Sequence, residues 1–398
     1  VGADICGFLG NTNEELCARW IEVGAFSPFS RNHNGLGQIP QELYRWDSVA
    51  TASRAVLGLK YQLLPYLYTL LYKAHISGST VMNAMWVHFP TDEETFFCDG
   101  QYMWSNGILF TPVITRGATA VTGYFPKGLW YSLFDSGFID SSNGGQPVLL
   151  VTPLENTNVH GRGGTILTLQ NTDNSAMTTT DARKTPFTLL VLLDENSESE
   201  GSLYLDDGEQ ITLDSFSFIT YNAIPTQQES DDDYNIAGGL IQSSVAANLY
   251  QSSQIINAIK IKGVSSKQGD VSSLPDVCTS SIVYNGNTVL LIPLLTNYDS
   301  YSEFVVKFDD LDLNIVSDFV FSWQCRSNKD SKSNDNDDDE GWDSIPAYGQ
   351  ALIICTIILV VIGLIFFGYR YYYLHTKKNL NDPLLPSNEH PAQLSMKG

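Results

Sequence analysis

The sequence predicts an α/β segment, two all-β domains behind it and one membrane-spanning helix near the end, on three observations. Residues 1–80 alternate short apolar runs with helix-patterned stretches. Residues 81–325 break into short β-rich runs separated by Gly, Asn and Pro, and residues 351–367 read ALIICTIILVVIGLIFF without a charge. At the start, residues 1–4 read as a strand with Asp4 at its tip, and Gly7 and Gly10 mark the loop beyond it. Residues 13–22 read as a helix, with Asn11 to Asn13 as candidate caps and Glu14 and Glu15 where the helix dipole favours anions. A second strand is expected over 25–29, ahead of the polar loop 30–35. Residues 47–76 place Leu57, Leu63, Leu67 and Leu70 on broad apolar helix faces, and Pro65 predicts a kink among them. Strand, helix, strand, helix with polar strand ends is the pattern of the last two units of a (β/α)8 barrel, where active sites gather at the C-terminal strand ends. A doubly wound sheet fits the pattern nearly as well.

After residue 81 the runs 108–114, 120–125, 130–133, 148–151 and 165–169 are expected as β-sandwich strands. A second set runs from 187 to 325, with a turn at Asp206-Asp207-Gly208-Glu209 and a closing strand over 319–323. The expected organisation is therefore barrel units over 1–80, a proximal β-sandwich over 81–180 and a distal one over 181–325. An acidic stalk (326–346), a membrane helix (347–369) and a tail (370–398) follow. The apolar stretch with its flanking Gly368 and Tyr369 is about 19 residues, or roughly 28 Å as a helix, which spans a bilayer core. Trp342 and Tyr348 precede it, and Tyr371, Tyr372 and Tyr373 follow it, as interfacial rings do. Arg370, Lys377 and Lys378 lie beyond it, so the positive-inside rule makes the tail cytoplasmic and everything before the span lumenal or extracellular. That is a single-pass type I arrangement.

The net charge of −22 argues against a nucleic-acid partner, because phosphate binding needs a positive footprint. Six cysteines occur without a Cys-x-x-Cys pair, so a structural zinc site is not expected. Cys6 and Cys17 are close enough in sequence to be bridged in an oxidising compartment, Cys355 lies in the apolar stretch, and Cys98, Cys278 and Cys325 cannot be paired from sequence. Asp335, Asp337 and Asp339 alternate like part of a calcium loop but lack its Gly and its final Glu, so no metal is expected there.

The opening segment GADICGFLGNTNEELCARWIEVGAFSPFSRNHN closely resembles the matching segment of glycoside hydrolase family 31 α-glucosidases, especially the lysosomal and intestinal maltase type. YFPKGLWY, NVHGRGGTILTLQ, YLDDGE and a Ser-Trp-x-Cys ending follow in family order, so the resemblance covers roughly residues 1–325. It implies a (β/α)8 barrel followed by proximal and distal β-sandwiches. It also implies an exo-acting retaining α-glucosidase that releases terminal glucose from maltose, oligosaccharides or glycogen-like α-glucans with two carboxyl groups about 5 Å apart. In the family both carboxyl groups lie on earlier barrel strands, so this chain is expected to be inactive alone, as a C-terminal fragment.

The residues implied here are substrate contacts. Asp4 matches a family aspartate that binds the non-reducing glucose, and His33, in Arg-Asn-His-Asn, matches a histidine that donates to the same ring. Arg31 braces neighbouring carboxylates, Phe8 forms an apolar wall, and a Cys6–Cys17 disulfide pins the loop after Asp4. The endoplasmic-reticulum glucosidase type usually has Gly where Cys6 stands. His75, His88 and His160 fall outside the sugar-contacting motif and are expected to be structural. No metal or organic cofactor is implied. Where the family usually has Phe-Met-Trp-Gly, residues 102–107 read Tyr-Met-Trp-Ser-Asn-Gly, which predicts a local loop change. The location implied is a lysosome-like vacuole or the cell surface. The competing readings are a non-catalytic, membrane-anchored sugar-binding or structural module, and an α-xylosidase of the same family.

Overall fold

The computed structural model describes residues 3–171, 178–226, 234–264, 277–297, 302–308 and 311–328. The expected membrane helix and tail lie outside these residues, as does the stalk beyond 328. Among the described residues no helix is long and apolar enough to cross a membrane.

Three helices form the N-terminal part: α1 (Glu14–Gly24), α2 (Asp47–Gln62) and α3 (Leu64–Ser77). The Asn13 carboxamide accepts from the Leu16 backbone N–H and caps α1. The expected kink is a full break at Leu63, with Pro65 in the first turn of α3, where its missing N–H costs nothing. Gly78 then ends α3 in the left-handed conformation (φ 74°). Cys17, Ala18 and Ile21 of α1 share one core with Val49, Ala52 and Val56 of α2.

Among the described residues, the two expected barrel strands do not form regular strands. Residues 25–29 form a turn in which Phe26 and Ser27 donate back to Val23 and Gly24 at the end of α1. What joins the two strand ends is a single parallel bridge between Ile5 and Asn32. A parallel strand draws its hydrogen bonds from neighbours on both sides, and two units offer too few to hold an extended ladder.

The next part is built of short antiparallel strands. β1 (Met82–Asn83), β2 (Tyr102–Trp104), β3 (Ile108–Thr111), β4 (Ala120–Phe125), β5 (Leu129–Ser132), β6 (Phe138–Asp140), β7 (Gln146–Val151) and β8 (Asn158–Arg162) form a six-stranded sheet, order β1-β2-β3-β8-β5-β6, and the pair β4-β7. The turn between β2 and β3 holds Ser105 at φ 47°, in the backbone region that favours glycine, and the resemblance puts a glycine there. Trp104 donates its indole N–H to the Phe26 carbonyl at 2.7 Å and locks this sheet to the end of α1.

A larger sheet takes in β9 (Thr165–Gln170), β10 (Phe187–Leu192), β11 (Ser199–Leu205), β12 (Ser217–Pro225), β13 (Tyr234–Asn248), β14 (Ile255–Val264), β15 (Val277–Tyr284), β16 (Asn287–Leu291), β17 (Leu294–Asn297), β18 (Ser302–Lys307), β19 (Leu313–Asn314) and β20 (Phe319–Asn328). Its order is β16-β15-β20-β13-β12-β11-β9-β10-β14-β18-β17, with β19 on β14. The first and last strands of that order are joined by residues 292–293 alone, a reach of about 10 Å, so the sheet must fold back on itself. The fold line is β11–β9, which share one register pair, Glu200 with Thr165. Between the resulting layers lies a core that includes Ile219, Ile241, Ile259, Phe304 and Phe321, the packing of a β-sandwich. Cys278 and Cys325 sit opposite each other on β15 and β20 and are disulfide-bonded.

Candidate functional site

The loops after the two expected barrel strands are held together by side-chain amides in place of a ladder. Ile5 donates its N–H to the Arg31 carbonyl at 2.8 Å. Gln41, 4% exposed, donates from Nε2 to the carbonyls of Ile5 (3.0 Å) and Gly7 (3.2 Å) and to Asn32 Oδ1 (3.0 Å). The backbone carbonyl of Gln41 accepts from Asn32 Nδ2 at 2.9 Å. Asn11 accepts from the Ile39 N–H, and Asn34 donates to the Ile39 carbonyl, which ties the outer loop in as well.

This frame brings the four expected contact residues into two pairs. Arg31 reaches Asp4 Oδ1 with both Nε (2.8 Å) and Nη2 (2.6 Å). No hydrogen bond among the described residues goes to Asp4 Oδ2. The Asp4 side chain is mostly covered and that of Arg31 is half exposed, with its guanidinium 5.9 Å from the Phe29 ring centroid. Phe8 and His33 form the second pair, ring centroids 5.5 Å apart, and both are exposed. The arrangement suits binding more than bond cleavage: one ion-paired carboxylate with an open oxygen, an accessible imidazole and an aromatic face can take a neutral, hydroxyl-bearing ligand.

The Cys6–Cys17 disulfide is present and ties the loop after Asp4 to α1. Cys6 has φ 69°, again the region that favours glycine, and the resemblance gives glycine here in another branch. A cysteine in this conformation costs about 1 kcal/mol, while closing an 11-residue loop stabilises by about 2–3 kcal/mol. Cys6→Gly/Cys17→Ala should therefore unfold at a urea midpoint above that of Cys6→Ala/Cys17→Ala, with the wild type above both. Equal midpoints for the two variants would show that the left-handed backbone costs nothing.

The model of the Glycosyl hydrolases family 31 TIM-barrel domain matches residues 1–70, and that of the Glycosyl hydrolase family 31 C-terminal domain matches residues 78–167. The chain belongs to glycosyl hydrolase family 31. This family 31 chain is 49% identical to an alpha-glucosidase of Hordeum vulgare over 209 residues, 52% of this chain and 24% of the relative. It is 45% identical to the lysosomal alpha-glucosidase of Rattus norvegicus over 243 residues, 56% of this chain and 25% of the relative. It thus spans about a quarter of these relatives. In three dimensions it superimposes on a crystal structure of glucosidase II alpha subunit with a TM-score of 0.69 at 24% identity, covering 80% of this chain and 34% of the other, a likeness of fold.

Two buried residues that hold this part of the family 31 chain together are not marked out as buried by the sequence. Gln41 lies in a loop beyond the quoted segment, and nothing local marks a glutamine that will be buried. Arg19, on α1, is buried against loops more than ninety residues away, whereas its helix position reads as part of a polar face.

Proposed function

We propose that this chain is the C-terminal part of an exo-acting, retaining α-glucosidase and supplies one side of its glucose subsite. The observation that carries the proposal is the pairing of Asp4 with Arg31 beside the Phe8–His33 contact, at bridged loop ends of the segment that matches the barrel. The likeness to two α-glucosidases supports the reaction class. In this reading the nucleophile and the acid/base lie on barrel strands outside the residues matched here. Asp4 accepts hydroxyl hydrogen bonds from the terminal glucose, and these strengthen as positive charge develops on the ring. Arg31 holds the carboxylate in one orientation, His33 donates to the same sugar, and Phe8 walls it. The protein is placed in a lumenal, oxidising compartment, anchored by a span over 347–369, and the two disulfides fit that setting.

In protein containing the whole barrel, Asp4→Ala should lower kcat/KM on maltose at least tenfold, about 1.4 kcal/mol of transition-state stabilisation. Unchanged kinetics would remove Asp4 from the subsite. The 398-residue chain alone should not hydrolyse maltose.

A further inference from the structure

We propose that a recess between α2 and the β5–β6 turn is a second saccharide-binding site, which takes one or two pyranose units through hydroxyl hydrogen bonds and stacking on Phe134. The recess has a volume of about 450 Å³, within the range of small-ligand sites (about 300–1,000 Å³). Its walls come from α2, the β5–β6 turn, β7, the β7–β8 loop and β8, and none of Asp4, Phe8, Arg31 or His33 belongs to them.

Several polar groups of the walls keep hydrogen-bonding capacity beyond their bonds within the fold. His160 is 5% exposed, and its Nδ1 makes no hydrogen bond. A buried ring nitrogen left bare is costly unless something fills the space beside it. Burial pushes this imidazole down to about 4, with Asp135 opposing and Lys262 assisting, so the neutral ring predominates above pH 5. Asn158 commits both amide hydrogens, to the Thr111 carbonyl and the Thr152 hydroxyl, which leaves its side-chain oxygen as an acceptor. Asp135 accepts from the Gly137 N–H on Oδ1 at 2.8 Å and is hydrogen-bonded to the Ser132 side chain, which fixes its carboxylate at the wall of the recess. Phe134, at the rim, is 40% exposed.

The charges select the ligand class. No Lys or Arg lines the recess, while Asp135 and Glu155 do, so anions are disfavoured. A cation gains less from Asp135 than from a free carboxylate, because Lys262, paired with Glu303 and donating to the Ser132 carbonyl at 3.2 Å, also acts on Asp135 from behind. What remains is a neutral molecule rich in hydroxyls with one apolar face, which describes a pyranose. This class follows from the walls, so the loss of Asp4 as a sugar contact would leave it standing.

The test is the stoichiometry of thiomaltose, whose sulfur linkage resists hydrolysis, measured by calorimetry on protein containing the whole barrel. Two molecules per chain are expected. Asp135→Asn keeps the turn acceptor and should weaken one of them at least tenfold, as should Phe134→Ala, while Asp4→Ala should weaken only the other. A single molecule per chain in the wild type would overturn the proposal. Two molecules bound with unchanged affinity in both recess variants would do so as well, and so would spermidine displacing the sugar that Asp135→Asn affects.

Discussion

Replacing Arg19 by Met is expected to destabilise the folded chain by about 3–5 kcal/mol, because it strips several buried acceptors of their donor at once. Arg19 is 8% exposed and its guanidinium is the hub between α1 and the loops around β4 and β7. Nη1 donates to Glu22 Oε2 (3.1 Å) and to the carbonyls of Pro153 (3.0 Å) and Asn156 (3.1 Å). Nη2 donates to the carbonyls of Ala118 and Thr152, both at 3.0 Å. Methionine fills much of the volume but donates to none of these five acceptors, and each buried acceptor left bare costs about 1–3 kcal/mol before relaxation. Urea unfolding measures the loss. The double variant Arg19→Met/Glu22→Leu separates the causes. If the contact with Glu22 dominates, removing both partners restores most of the stability. If the four carbonyls dominate, the double variant stays at least ~2 kcal/mol below wild type, which is the expected result because they outnumber the carboxylate.

The helices were legible because their signals are local. Asn13 before two glutamates, leucines at helical spacing and a proline at 65 each act within a turn or two of where they stand, and the structure places α1 and the α2–α3 break accordingly. The strand expected over 25–29 was not legible in the same sense. An apolar run becomes a strand only when neighbours satisfy its backbone, and here the run folds back on α1. The Cys278–Cys325 pairing depends on β15 and β20 lying side by side, a register set by the whole sandwich. The run 165–169 reads like those before it, yet its ladder partners are β10 and β11. At the candidate site, the motif drew attention to Asp4, Phe8, Arg31 and His33. The amide clamp of Gln41 could emerge only once two loops were seen sharing one side chain.

Stability should fall by ~2 kcal/mol between pH 6.5 and pH 8, and Glu22 is the cause. Burial pushes its carboxyl up to about 8, against the pull of the Arg19 charge and hydrogen bond, and Glu155 adds to the rise. Burial prevails because Arg19 divides its donors among four carbonyls, while Glu22 Oε1 has no hydrogen-bond partner. Since the folded value lies above the unfolded one of 4.5, the folded chain holds a proton that the unfolded chain has released. Each pH unit across that window then costs about 1.4 kcal/mol of stability, and the cost stops above 8. His160 acts in the opposite sense lower down. Its folded value of about 4 lies below the unfolded 6.5, so its contribution is complete above 6.5 and fades as pH falls toward 4. His88, lowered by burial and by Arg162, adds to that acid-side loss. From about 4.5 to 6.5 Glu22 and His160 nearly cancel, so the wild-type profile should be shallow there, tilted toward acid loss by His88, with the steeper decline on the alkaline side. Glu22→Gln removes one slope and should leave a chain that is flat above pH 6.5 and weakens below it. His160→Asn removes the other and should extend the decline down toward pH 4.5. Urea midpoints at pH 5, 6.5 and 8 for the three proteins decide the matter, and an unchanged wild-type slope in Glu22→Gln would assign the alkaline loss to another group.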